Sequence, residues 1–122
     1  MDRTNFEKLK VYQLSQSLAD SIWDVVLKWH QPAKDTVGKQ VIRSSDSIGA
    51  NIAEGSGRGS VMDNRRFARV ARGSLYETKH WLRRAFRRKL LSTKEIDSLR
   101  IVIDDLTRAL NGYIRSLNPP KS

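Results

Sequence analysis

The chain contains no cysteine. That removes disulfides, thiolate metal sites and cysteine nucleophiles together, and it fits a reducing cytoplasm. No apolar run approaches the roughly 20 residues needed to span a bilayer. The opening segment, residues 1–6, has no apolar signal core behind Arg3. A soluble, cytoplasmic protein without membrane contact is therefore expected. Strand-like alternation, low-complexity tracts and tandem repeats are missing as well. No pair of titratable groups has the spacing of a nucleophile–base or metal constellation. The expectation is a protein that is not an enzyme and takes no cofactor, metal or small-molecule substrate.

One region also lacks acid. Residues 1–57 carry seven Lys/Arg and seven Asp/Glu, and residues 90–122 carry five and four. Residues 58–89 carry eleven Lys/Arg against only Asp63 and Glu77, so nearly all of the net +10 lies there. Nine of those eleven are arginine. Self-repulsion along one such stretch opposes folding unless something offsets it.

What is present is helical periodicity. At 122 residues the chain has room for one domain, able to bury roughly two-thirds of its unfolded surface without a disulfide or metal staple. Val11, Leu14, Leu18, Ile22, Val25 and Trp29 recur at steps of three and four, which predicts a helix over about 6–30 with Pro32 just beyond it. Asp35 is the expected cap of a second helix, 35–54, whose narrow stripe is Val41, Ser45, Ile48 and Ile52. Its many small residues, among them Ser44, Ser47, Gly49, Ala50 and Ala53, let a neighbour approach closely. Gly55-Ser-Gly57-Arg-Gly59 reads as a connection: no strand precedes it, and it lacks GxGxxG spacing and the Lys-Ser/Thr ending of a P-loop. Ser60 and Asp63 have the pattern of an N-cap and first-turn acid for a third helix, 61–89. Ser92 and Glu95 have capping-box spacing for a fourth, 93–117. That fourth helix carries Ile96, Leu99, Ile103, Leu106, Leu110, Tyr113 and Leu117, a seam over three heptads, and Asn118-Pro-Pro120 stops it. Four helices with short links predict an all-α, antiparallel up-down-up-down four-helix bundle over residues 1–122, with flexible ends at 1–5 and 118–122.

The third helix holds the candidate site. With Phe67 set to zero, an inner stripe of Phe67, Ala71, Ser74, Thr78, Trp81 and Ala85 falls within about 40°, flanked by Val70 and Leu82. Arg65, Arg69, Arg72, Tyr76, Lys79, Arg83 and Arg87 fall between about 120° and 200°, a stripe roughly 33 Å long opposite that core. Arg66, Arg84 and Arg88 widen it. Ordinary exposed faces mix signs so that i,i+4 pairs form, whereas this stripe contains no acid. Arginine's planar fork suits phosphate, and an aromatic at mid-stripe suits a stacked base. The expected ligand is nucleic acid, RNA or an RNA–DNA hybrid. The alternative is a structural oligomer or interaction module whose basic stripe faces an acidic partner or a neighbouring subunit.

Other candidates have structural readings. His30 and His80 read as surface or boundary histidines. Asp46 and Glu54 read as helix-face charges in contact with arginine of the third helix. Glu77, at the core boundary, reads as a half-buried partner of an arginine. Trp23, Trp29 and Trp81 read as core or interface anchors.

Several segments resemble the four-helix bundle family of 23S rRNA intervening-sequence proteins. They are Phe6-Glu-Lys-Leu9-Lys-Val-Tyr12-Gln, Gln40-Val-Ile-Arg-Ser-Ser-Asp-Ser-Ile48, Asn51-Ile-Ala-Glu-Gly55 and Ala71-Arg-Gly-Ser-Leu-Tyr-Glu77, extended by Trp81-Leu-Arg-Arg-Ala85 and Leu110-Asn-Gly-Tyr-Ile114. The likeness covers residues 6 to about 117. It implies an antiparallel bundle that assembles into a homopentamer, with no enzymatic activity or cofactor. It also implies kinship with the accessory variability determinant of diversity-generating retroelements, a basic nucleic-acid-binding partner of a reverse transcriptase. Asn51, Glu54, Gly55, Ser74 and Glu77, which carry the signature, read as structural residues from their chemistry and wheel positions.

Overall fold

A computed structural model of the chain describes residues 5–118. Nearly all of the end segments expected to be flexible, and the expected stop at Pro119 and Pro120, lie outside the described residues. Four long helices make up the body: α1 (Lys10–Val26), α2 (Lys39–Ser56), α3 (Val61–Arg87) and α4 (Thr93–Ser116). α1 packs on α2 and α4, and α3 packs on the same two, so the helices form a closed ring with α1 diagonal to α3. Short links between consecutive neighbours make adjacent helices antiparallel. The bundle is the expected architecture. Among the described residues no helix is long and apolar enough to cross a membrane.

The core is built from Leu18, Ile22, Val41, Ile48, Ile52, Leu75, Leu82, Leu106 and Leu110, all nearly inaccessible. α4 follows its heptads: Leu99, Ile103, Leu106 and Leu110 are buried, Ile96, Tyr113 and Leu117 are half-buried, and Ile114 completes the seam. Both predicted caps form. Ser60 Oγ accepts the Asp63 N–H at 3.1 Å. Ser92 Oγ accepts the Glu95 N–H at 3.1 Å, while Glu95 Oε1 accepts the Ser92 N–H at 2.9 Å, closing the capping box.

The tightest seam joins α2 and α3. A Cβ on Gly55 would lie 2.8 Å from both Phe67 Cβ and Asn64 Oδ1, so only glycine allows this approach. Hydroxyls line the buried part of the seam: Thr78 Oγ1 lies 2.9 Å from Ser44 Oγ, and Ser74 Oγ lies 3.1 Å from Ser47 Oγ. Such pairs satisfy groups that would otherwise cost free energy to bury. Glu77 is half-buried beside them, with Arg43 Nη2 at 2.7 Å and the Trp81 indole N–H at 3.1 Å.

Helix boundaries differ from the sequence expectation in the first third of the chain. The first helix does not run unbroken over 6–30. A 3-10 turn (Phe6–Lys8) is separated from α1 by Leu9, whose backbone is extended, and α1 ends at Val26. Asp35 does not cap α2. The helical run begins earlier, at Gln31, behind an extended His30 and with Pro32 in its first turn, where a missing N–H costs nothing. It passes through a π-turn (Lys34–Gly38) into α2, and Asp35 Oδ1 accepts from Gln31 Nε2 at 2.8 Å inside that run. Trp29 is buried as an anchor, Trp81 half-buried, but Trp23 is 50% exposed and belongs to the surface.

Candidate nucleic-acid interface

α3 carries the candidate residues, and its buried side fixes where they point. The residues it buries are Ala68, Ala71, Leu75, Thr78, Leu82 and Ala85. Their centre lies about 50° round from Phe67. Phe67, Ser74 and Trp81 are therefore half-buried at the edge facing α2, and Val70, expected on the core flank, is 47% exposed. The correction has a physical cause. Leu75 and Leu82 hold the centre of the buried side, while Phe67, whose Cβ meets Gly55 of α2, keeps its ring at the surface under Arg58 and Arg66.

The same rotation moves the basic stripe. It does not lie opposite the core. Its centre is about 115° away, turned toward α4. Arg72 shows this directly: it is half-buried and its Nη1 donates to Asn111 Oδ1 of α4 at 3.0 Å. Arg65 is also half-buried, and its Nε is enclosed without an acceptor. Arg66, Arg69, Tyr76, Lys79, Arg83, Arg84, Arg87 and Arg88 are exposed. Arg66 and Arg84, expected as flank residues, are among those nearest the outermost line of the helix. Arg88 is past the helix end, at the C-cap.

Nine of these ten side chains are cations, and among the described residues only Arg66 has a carboxylate in ion-pair range, Asp63 at 3.6 Å. Arg66 is further held over the Phe67 ring, 4.7 Å from its centroid, with Arg58 of the preceding loop 4.9 Å from the same centroid. Lys79 Nζ lies 5.6 Å from the Tyr76 centroid, a cation–π distance. α3 contributes no acid to the stripe, but α4 does so across the way. Lys79 and Arg83 share an open groove floored by Leu82, Phe86, Ile96 and Ile103 with Asp97, Arg100 and Asp104. A second open groove joins Arg65, Arg66 and Arg69 to exposed Met62 and Val70, with Asp63 at its edge.

Sequence reasoning passed over Gly73. It lies at mid-helix, exposed, and a Cβ there would meet nothing within 4 Å. Glycine inside a helix costs about 1 kcal/mol relative to alanine, and here packing returns nothing for it. On the wheel it falls on the outermost line, between Arg69 and Tyr76. The clue was available once the core was centred on Leu75 rather than Phe67.

The remaining candidates serve the bundle. Glu54 pairs with Arg58 of the loop at 3.0 Å, not with an arginine of α3. Among the described residues Asp46 pairs with no arginine either. Its carboxyl is pushed above the usual aspartate range by burial and by the nearby charge of Asp20. Asn51 Nδ2 donates back to the Ser47 carbonyl at 2.8 Å. His80 is exposed, its ring edge-on to Trp81 with centroids 4.8 Å apart. Among the described residues no group of three or more His, Asp or Glu is placed to hold a metal ion.

Comparison with known proteins bears on this arrangement. A family model described as 23S rRNA-intervening sequence protein matches residues 7–112. Among solved structures the chain is similar to a protein of unknown function from the S23 ribosomal protein family of Bacteroides thetaiotaomicron. The TM-score is 0.79 at 25% identity, over 86% of this chain and 95% of that one. No curated protein matches.

Proposed function

For a chain that belongs to the 23S rRNA-intervening sequence protein family, we propose a non-catalytic role in which the outer side of α3 binds nucleic acid, RNA or an RNA–DNA hybrid, as an accessory to a ribonucleoprotein. The observation that carries this is a row of nine cations of which, among the described residues, only Arg66 has a carboxylate in ion-pair range, with Asp97 and Asp104 of α4 bordering the groove beside Lys79 and Arg83. The bundle engages a minority of the nine: Arg66 has an ion pair, Arg72 bonds to α4, Lys79 lies against Tyr76 and Arg65 is half-buried, while Arg69, Arg83, Arg84, Arg87 and Arg88 are exposed. Phosphates would supply the missing charge, and arginine binds them through two parallel N–H donors. The partner reverse transcriptase that the sequence resemblance implies for a relative rests on that resemblance alone.

Binding of this kind releases counterions. A site making six phosphate contacts loses about 10³ in affinity between 50 and 200 mM salt. The test is fluorescence anisotropy with labelled RNA on the wild type and on Arg69→Glu/Arg83→Glu. Binding weakened on the order of 25-fold, with a shallower salt slope and an unchanged helical spectrum, supports the site. A double variant that binds with the same salt slope rules it out.

A second role is favoured by exposed Met62 and Val70 beside Arg66 and Arg69. Apolar surface interleaved with arginine also suits a protein interface. In that case the face packs in a homo-oligomer, a pentamer as the resemblance implies. Light scattering on the same double variant separates the two: loss of the oligomer without loss of RNA affinity assigns the face to assembly.

A further inference from the structure

We infer that the middle of the outer α3 face is a platform for an unpaired base, so that the ligand is a single strand and not a duplex. This rests on the nucleic-acid role proposed above and narrows it. The outermost line of α3 reads Arg69, Gly73, Tyr76, His80, Arg84, Arg87. Cations occupy its two ends, and the centre holds a bare glycine between an arginine and two rings.

The centre is open to a flat ligand. Tyr76 is 53% exposed, and His80 is exposed too. Gly73, one turn before Tyr76, leaves the backbone uncovered, with nothing within 4 Å of where a Cβ would stand. Lys79 Nζ lies 5.6 Å from the Tyr76 ring centroid, so a cation already stands beside the ring. Glycine weakens the helix and contributes no packing inside the bundle, so its use here is explained by something lying close against the backbone. From Gly73 to His80 the platform is roughly 10 Å long.

A duplex gains little from such a surface. Its bases are stacked on one another, and it presents phosphates, which the arginines alone would serve. An unpaired base has a free face to stack on tyrosine, and such stacking tolerates any sequence. The flanking phosphates of that strand then fall toward Arg69 on one side and Arg83 and Arg84 on the other.

The test compares labelled oligouridylate with a blunt RNA duplex of the same length at one salt concentration. The expected result is tighter binding of the single strand. Tyr76→Ala should weaken that binding by about 5- to 150-fold, the worth of one stacked base, and leave duplex binding unchanged. Tyr76→Phe should retain it. Gly73→Leu should raise the melting temperature, because leucine is the better helix former, while weakening single-strand binding. Equal affinity for both ligands, with Tyr76→Ala silent and Arg69→Glu/Arg83→Glu weakening both, overturns the platform and leaves the nucleic-acid role standing. If the double charge reversal changes neither ligand, the nucleic-acid role itself has failed. If Tyr76→Ala alters the oligomer seen by light scattering and not the affinity, the face belongs to a second copy and the platform is overturned.

Discussion

α3 and α4 are neighbours of similar length, both started by a serine cap, yet their outer sides differ in kind. α4 carries four basic and four acidic residues, and Arg108 pairs with Asp105 one turn away. That is the surface a soluble helix needs. α3 carries eight basic residues against Asp63 and Glu77, and Glu77 is turned to Arg43 of α2. Its inner side is as well buried as that of α4, so the bundle accounts for one side of α3 and not the other. That surplus is what the proposed nucleic-acid role accounts for.

The inner sides should prove equivalent. Leu75→Ala in α3 and Leu106→Ala in α4 remove fully buried side chains, and each should cost about 2–5 kcal/mol in denaturant unfolding. A much smaller loss in α3 would mean that its packing is looser than the structure shows. The outer sides should separate the helices. Arg69→Glu/Arg83→Glu removes two phosphate contacts, a loss on the order of 25-fold in RNA affinity near 0.1 M salt. Arg100→Glu/Arg108→Glu in α4 should leave that affinity nearly unchanged. Equal losses from both pairs would reduce the site to net charge.

The caps offer a finer comparison. Ser60→Ala should cost about 1 kcal/mol. Ser92→Ala should cost more, because the capping box exchanges two bonds where Ser60 makes one. Thermal unfolding of both variants checks the order. Smallest in size, and opposite in sign, Gly73→Ala should stabilise by about 1 kcal/mol, whereas the clash at Gly55 makes Gly55→Ala destabilising. A destabilising Gly73→Ala would show that the exposed glycine is needed by the fold.

Local rules made the starts of α3 and α4 legible, since a serine followed three residues later by an acid is a short-range device. The α4 seam was legible because its apolar residues are large and regular. The rotation of α3 was not. Its buried side includes the small residues Ala68, Ala71 and Thr78, and Thr78 is buried where its hydroxyl meets Ser44 of α2. That is a tertiary effect with no periodic signature in α3 itself. The π-turn at Lys34–Gly38 was hidden for the same reason: Val37 and Gly38 are buried against α1, where a Cβ on Gly38 would stand 2.8 Å from Val26 Cγ1. The candidate cations were all readable from composition and spacing. Which of them are free was not, because Arg65 and Arg72 are drawn in by α3's turn toward α4.

The central claim is that the free cations of α3 meet phosphate, and the salt dependence of RNA binding tests it most directly. The account predicts a linear fall of log K with log salt, with a slope shallower by roughly 1.4 in Arg69→Glu/Arg83→Glu for a single strand. Wild type and double variant with the same slope, or wild type with no measurable slope, would contradict it.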